Sequence, residues 1–416
     1  MTPGQATRFE QLLEKTYGRN PFYTHKFDEA GITIPADLAR LPLTTKAELV
    51  ADQSANPPWG AALSEPIERY TRYCQTSSTS GLPLRWLDTN ESWQWLVGCW
   101  KEVYLAAHVG PGDRIFFPFS FGPFLGFWLA FEAASQIGAL AVPGGGMSSE
   151  LRLAMIEKIG ATVVCCTPTY ALWLAEVSAA GGERPLSEGT VRMLIVAGEP
   201  GGSITSTREL IQRSWGARVI DHHGLSEVGP ISFECWENPG GLHVNDEYIC
   251  EVLDATTGNL LPDGESGELV VTNLGRIASP LIRYRTGDIV VKRSGPCACG
   301  RSGARLEGGI LSRADDMINI RGVNVYPTAI ESVVRQFPEI IEFRSTASRT
   351  GAMWELSIEI EPSPEVTDLP AVVSKLSWRL KEALGLTVPV LTVEPGTLPR
   401  FELKAKRFVV QYKNEK

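Results

Sequence analysis

From Asp113 to Val228 the chain alternates short apolar runs with stretches of helical periodicity, and glycine-rich turns punctuate the joins. The runs are Arg114-Ile115-Phe116-Phe117, Gly138 to Pro143, Ala161 to Cys166, Val191 to Val196 and Ala217 to Ile220; helical stretches cover Phe124 to Ile137, Glu150 to Ile159 and Tyr170 to Ala180. This alternation commits the region to a layered α/β domain with parallel-type sheets, because a parallel strand needs a crossover to re-enter beside its neighbour. Ligands of such sheets sit off the carboxyl ends of the strands. Three loops fall there: Ser120 to Pro123, Gly144 to Met147, and Ala197-Gly198-Glu199-Pro200-Gly201. Each is either a ligand loop or a plain turn.

At 416 residues the chain is too long for one ordinary core and implies two or three domains. A net charge of −9 leaves no basic surplus to neutralise a duplex, which excludes a nucleic-acid binder. Met1 to Lys15 lacks a secretory pattern and no apolar run reaches membrane-spanning length, so the expected compartment is the cytoplasm, with no membrane partner. Eight cysteines are too sparse for a disulfide scaffold.

Outside the alternating region, Thr44 or Thr45 is expected to cap a helix over Lys46-Ala47-Glu48-Leu49. Thr89 to Ala107 reads as a helix whose Trp93, Leu96, Trp100 and Tyr104 form a core stripe. Glu251 to Val271 has the short runs and turns of a β-rich subdomain. Near the end, Trp354 to Ile360 alternates like a strand, Leu369 to Leu384 is amphipathic, and Val388 to Val393 reads as another strand.

Several stretches propose chemistry. Thr76-Ser77-Ser78-Thr79-Ser80-Gly81 offers rotating hydroxyls and accessible backbone N–H groups, which suit a polyphosphate; a polar surface turn is the alternative. It is not the Gly-x-x-x-x-Gly-Lys-Ser/Thr loop, because that lysine is missing. Cys297-Ala298-Cys299-Gly300 is a tight thiol pair, and with Cys235 and His243 it would complete a four-ligand, structural zinc site; the alternative is unrelated buried thiols. Cys165, Cys166 and Cys250 lie in apolar runs and read as core.

Cys74 to Pro83 resembles the phosphate loop of the adenylate-forming superfamily, with Ser78 and Leu82 standing where many members have glycine and lysine. Four further segments strengthen the resemblance: Asp221-His222-His223-Gly224-Leu225-Ser226-Glu227, Leu281 to Asp288, Leu311 to Gly322, and Leu398 to Arg407. Within the superfamily the chain is most similar to phenylacetate-CoA ligases. The resemblance implies a large N-terminal domain over 1–312 and a small mobile α+β domain over 313–416. It implies that Thr76 to Gly81, Gly198, Glu199, Pro200, His222, His223 and Gly224 surround ATP or AMP. Ser226 would touch phosphate, and Glu227 would hold Mg²⁺, an ion that prefers a carboxylate together with phosphate oxygens. Asp288 would take the ribose hydroxyls and Arg313 would approach them, Asp315 would lie at the hinge, and Lys404 would reach the reacting carboxylate. Leu403 replaces the usual glycine before that lysine, and Lys406 is a rival for its role.

The activity so implied is two-step: a carboxylic acid and ATP form acyl-AMP and pyrophosphate, and CoA then takes the acyl group as a thioester. Phe119, Phe121, Phe124, Phe127 and Trp128 beside a ligand loop favour an aromatic acid, although helix core would use the same residues. The alternatives are transfer to an amine or a carrier-protein thiol, and a nucleotide-binding regulator that has lost catalysis. The resemblance also leaves room for a homodimer.

Overall fold

The computed structural model describes residues 1–416 apart from 77–82, 183, 315, 321–322, 351–352, 402–403 and 414–416. Three helices, α1 (Pro3–Thr16), α2 (Pro21–Glu29) and α3 (Lys46–Ala55), precede a hairpin of β1 (Tyr70–Gln75) and β2 (Arg85–Thr89). Thr45 is the residue that caps α3: its hydroxyl accepts the Glu48 N–H, and the Glu48 carboxylate accepts the Thr45 N–H in return. The following α4 (Asn90–Ala106) buries Trp93, Leu96, Trp100 and Tyr104 in one core cluster, as the stripe predicts.

Strands and helices then alternate: β3 (Arg114–Phe117), α5 (Leu125–Gln136), β4 (Leu140–Pro143), α6 (Ser149–Ile159), β5 (Val163–Cys166), α7 (Pro168–Ala180), β6 (Met193–Val196), α8 (Thr205–Trp215) and β7 (Arg218–Leu225). Six antiparallel strands follow: β8 (Gly229–Cys235), β9 (Asn238–Val244), β10 (Tyr248–Leu253), β11 (Ser266–Asn273), β12 (Tyr284–Pro296) and β13 (Ser302–Arg313). All the strands from β3 to β13 join one 11-stranded sheet in the order β10-β11-β12-β13-β9-β8-β7-β6-β5-β3-β4. The expected parallel-type sheet and β-rich region are both present, and hydrogen bonding joins them in this one mixed sheet. The seam is β7, which runs parallel to β6 from Arg218 to Asp221 and antiparallel to β8 from His222 to Leu225.

Beyond Arg313 a smaller unit forms around its own core of Ile330, Phe343, Ile358, Leu376 and Leu380. It comprises β14 (Ile318–Ile320), β15 (Val323–Val325), α9 (Pro327–Val334), β16 (Ile340–Thr350), β17 (Met353–Pro362), α10 (Leu369–Leu384), β18 (Val390–Thr392) and β19 (Phe408–Lys413). Its four-stranded sheet has the order β18-β17-β16-β19, with α9 and α10 packed together. No described helix is long and apolar enough to cross a membrane.

Candidate functional site

The seam strand β7 changes partners between Asp221 and His222, so the turn that leaves it, Ser226-Glu227, opens where parallel order ends. This is the topological position at which α/β sheets hold ligands. Two buried residues fix the turn. Arg276 is fully buried and pairs with Asp88 through two hydrogen bonds of 2.7 and 2.6 Å, while its remaining Nη1 donates to the carbonyls of Ser226 (3.2 Å) and Glu227 (2.8 Å). Glu227 is itself buried, and one carboxylate oxygen accepts the Tyr284 hydroxyl at 3.0 Å. The other has no hydrogen bond among the described residues, so a carboxylate oxygen remains for a cation.

Across the seam, β12 and β13 bring Asp288 opposite Arg313. Asp288 is buried; its Oδ1 accepts from Arg313 Nη1 at 3.0 Å and its Oδ2 shares a hydrogen bond with His223 Nε2 at 3.1 Å. Burial raises the carboxyl pKa, but His223 and Arg313 outweigh it and hold Asp288 below the usual carboxylate range. Gly287, with φ of +77°, makes the arrangement sterically possible, since an added Cβ would lie 2.9 Å from Arg313 Nη2. The preceding Arg283 is also braced: its backbone adopts φ +48°, and its guanidinium bonds Glu251 at 3.0 and 2.9 Å and the Leu41 carbonyl at 2.7 Å. The N-terminal helical segment, silent about chemistry in the sequence, thereby supports the turn that presents Tyr284 and Asp288.

His222 and His223 point to opposite sides of β7. His222 is buried with its ring 4.5 Å from that of Trp100, and its Nδ1 bonds the Ser232 carbonyl at 3.0 Å. Burial pushes its pKa down to about 3, so the ring is neutral. It is not brought to the cluster containing Asp288, Arg313 and His223. The neighbouring Asp221, which the sequence motif did not single out, is buried beside Ser203 and near Glu234, and burial pushes its carboxyl up to about 6.

Lys404 arrives from the small unit. An added Cβ at Gly198 would sit 3.6 Å from Lys404 Cε, which places the lysine stem over the loop that follows β6. The residue retains exposed surface, yet loss of water around its ammonium lowers the pKa, opposed by the charges of Glu199 and Glu227; Arg313 and Asp288 also act on it. Glu199 accepts the Thr169 N–H at 2.8 Å and the Ala405 N–H at 2.7 Å. Lys404, Gly198, Glu199, Glu227, Asp288 and Arg313 are thus brought together from three loops, two strands and two domains. Lys406 is exposed, as is Pro200. Thr76 is buried and bonds Leu84 twice, through backbone and hydroxyl, at 2.9 and 3.0 Å. Ser77, Ser78, Thr79, Ser80, Gly81 and Leu82 lie outside the described residues, as do the expected hinge at Asp315, Arg321-Gly322 and Leu403.

The loop after β3 and the start of α5 carry an aromatic wall. Phe119 is buried and stacks on Phe127 at 4.0 Å, Phe121 lies 4.9 Å from Trp128, and Phe124 meets Phe127 edge-on at 5.9 Å. Phe121, Phe124 and Phe127 remain partly accessible, and the Trp128 indole donates to Gly122 at 2.9 Å. The Gln75 N–H bonds the Pro123 carbonyl at 2.8 Å, tying the wall to the start of the hydroxyl-rich run.

The far ends of the same antiparallel strands carry a second cluster. Cys235, His243, Cys297 and Cys299 offer four ligand atoms, all within 4.8 Å of one another. The Cys235 and Cys297 sulfurs are 3.8 Å apart, and Cys299 Sγ is 3.5 Å from His243 Nε2. Tetrahedral zinc with Zn–S near 2.3 Å and Zn–N near 2.0–2.1 Å gives ligand separations of about 3.8 Å for S···S and about 3.6 Å for S···N. Donor types and spacing therefore fit the ion. A cavity of 560 Å³ adjoins this cluster, lined by Trp95, Glu102, Asp246, Glu247 and Arg301 among others, and shares none of the residues gathered around Lys404.

Comparison with known proteins gives the same division. Residues 51–276 match the family described as AMP-binding enzyme, and 322–411 match the AMP-binding enzyme C-terminal domain. A phenylacetate-coenzyme A ligase of Thermus thermophilus is 32% identical over 96% of this chain and 93% of its own. That of Escherichia coli K12 is 31% identical over 97% and 93%. Among solved structures, 2-hydroxyisobutyryl-CoA ligase in the postadenylation state with 2-HIB-AMP superposes with a TM-score of 0.92 at 28% identity, covering 98% of this chain and 88% of that one. The same ligase in the thioesterification state, with 2-HIB-AMP and CoA, gives 0.73 at 28% identity over 99% and 89%. The relative placement of the two units here follows the former.

Proposed function

We propose, from the premise that this chain belongs to the AMP-binding, adenylate-forming enzyme family and is an AMP-forming acid–CoA ligase, that its acid is aromatic and that Lys404 drives the first of its two steps. ATP and CoA are the co-substrates: acyl-AMP forms first, and the CoA thioester second. The observation that carries the residue assignment is the convergence of Lys404 with Glu227, Asp288 and Arg313, three charged groups of the large unit that burial and mutual hydrogen bonds hold in place.

In this reading Asp288, kept ionised by His223 and Arg313, accepts both ribose hydroxyls. Ser226 and the run from Thr76 to Gly81 face phosphate, and Gly198, Glu199, Pro200, His223 and Gly224 bound the nucleotide. His222 acts from the core as packing. The free carboxylate oxygen of Glu227 fits Mg²⁺, which supplies charge compensation on the triphosphate when bound. The Lys404 ammonium meets the carboxylate of the acid and offsets negative charge as it develops during attack on the α-phosphorus. The residues beyond Arg313 then move as a unit, withdrawing Lys404 before the thiol of CoA attacks. Cys235, His243, Cys297 and Cys299 would hold a structural zinc ion, which would tie the β12–β13 hairpin to β8 and β9.

Aromatic preference is supported by the half-exposed rings of Phe121, Phe124 and Phe127 and by likeness to phenylacetate-CoA ligases. A small aliphatic hydroxy acid is the second reading, favoured by likeness to 2-hydroxyisobutyryl-CoA ligase. Pyrophosphate release with phenylacetate, benzoate, 2-hydroxyisobutyrate and octanoate, each with and without CoA, separates the two. The highest kcat/KM is expected for an aromatic acid, and a clear preference for either aliphatic acid would overturn the assignment.

A further inference from the structure

Lys404 can act only while the segment carrying it lies against the large unit, and this segment is held on both sides. Before it, Arg400 Nε lies 3.4 Å from Glu176 on α7. Directly after it, the Ala405 N–H donates to Glu199 at 2.7 Å. Two residues further, Arg407 Nη1 donates to the Thr169 hydroxyl at 3.0 Å, at the first turn of α7. The two arginines are fixed within the small unit first. Arg400 bonds Glu361 at 2.7 Å, and Arg407 grips Glu342 through two bonds of 2.6 and 2.8 Å. Each is therefore a rigid prong on its own domain, with one remaining contact directed across the junction. On the other side Glu199 bridges the two bodies, since the same carboxylate takes the Thr169 N–H that opens α7.

We infer that Glu176, Glu199 and Thr169 form a three-point catch on α7 and the loop after β6, which seats Arg400, Ala405 and Arg407 and so positions Lys404 for acyl-AMP formation. All three points lie within eight residues of one strap, so they engage and release together. None of the three side chains is required to meet CoA, so the catch acts on the first half-reaction alone. Weakening it shifts the population away from the arrangement that delivers the lysine. Hydrogen bonds to charged groups carry enough free energy for each point to change that population by about tenfold or more. The inference rests on the adenylating role assigned to Lys404.

The test separates the half-reactions. ATP–pyrophosphate exchange is measured with whichever acid of the panel the wild type uses best, and thioester formation is measured from that acid's preformed adenylate and CoA. Glu176→Gln and Thr169→Val are expected to slow exchange by about 5–50-fold each while thioester formation stays within about threefold of wild type or rises. Glu199→Gln adds a readout that folding defects would not produce. The groups acting on the Lys404 ammonium are Glu199, Glu227, Asp288 and Arg313, and Glu199 favours its charged form. Loss of that charge moves the alkaline limb of the exchange profile to lower pH, with the acid limb unmoved. Equal slowing of both half-reactions in Glu176→Gln and Thr169→Val, or an unchanged alkaline limb in Glu199→Gln, would overturn the catch. A wild type that exchanges with no acid would instead overturn the adenylating reading itself.

Discussion

The antiparallel half of the large sheet carries two clusters at opposite ends of the same strands, built on contrary principles. β12 begins four residues before Asp288 and ends one residue before Cys297, so about 30 Å of strand separates them. At the first end, the buried carboxylates Asp288 and Glu227 meet Arg313, and Lys404 joins them from another domain. At the second, three sulfurs and one imidazole converge from a single domain, with no carboxylate among the four. The first end sets charged groups from two domains against one another; the second gathers soft donors within one domain.

The comparison breaks most visibly at the lysine. Lys404→Ala is expected to slow ATP–pyrophosphate exchange by about 10²–10³-fold, the scale for removing one charge-stabilising group, with little change in Tm. Exchange within about threefold of wild type would transfer the role to Lys406. At the other end, Cys297→Ser with Cys299→Ser should abolish bound zinc by elemental analysis of the purified protein. It should also lower Tm by roughly 5–10 °C, the shift a loss of about 3 kcal/mol gives a unit of this size. A metal-free wild type would remove the structural half of the comparison.

Two pH effects sharpen it further. Because loss of water lowers the Lys404 pKa, its charged form disappears at lower pH than that of an ordinary lysine. Adenylation should therefore decline on the alkaline side before any lysine-independent loss of fold, and a rate flat to pH values near 10.5, the ordinary lysine value, would contradict this. The smallest effect concerns Asp221. Its carboxyl is raised from 3.8 to about 6 in the folded chain, so the folded state binds the proton more readily. Stability from this group is present below about 4 and is lost as pH rises to about 6, up to about 3 kcal/mol. Asp221→Asn should flatten that part of the Tm–pH curve, and an unchanged slope would place the titration elsewhere.

Much of this was legible because local chemistry and global fold agree. The alternating runs marked β3 to β7 and the helices α5 to α7 within a few residues, though not α8, and Leu369 to Leu384 matched α10 at both ends. The cysteine cluster was readable from ligand type alone, although its partners lie on two hairpins. What stayed hidden depended on partners distant in sequence. Nothing in Arg276 or Asp88 singles them out, yet their buried pair holds the Ser226-Glu227 turn across 188 positions. A lone arginine following the apolar strand β11 was the only available signal. Similarly, His222 and His223 are adjacent in sequence, and only the alternation of β7 reveals that one faces the core and the other Asp288. The point where the parallel and β-rich regions join is hidden for the same reason: β7 changes the sense of its pairing midway, which no single-strand pattern encodes.

Acid activation at the charged end is expected to precede any part played by CoA. Isotope exchange between pyrophosphate and ATP, measured in the presence of an aromatic acid and Mg²⁺ and in the absence of CoA, tests it most directly. Exchange that requires the acid is the predicted result, because acyl-AMP forms reversibly before any thiol is needed. AMP formation that appears only when CoA is added, with no exchange under any acid, would contradict the central claim.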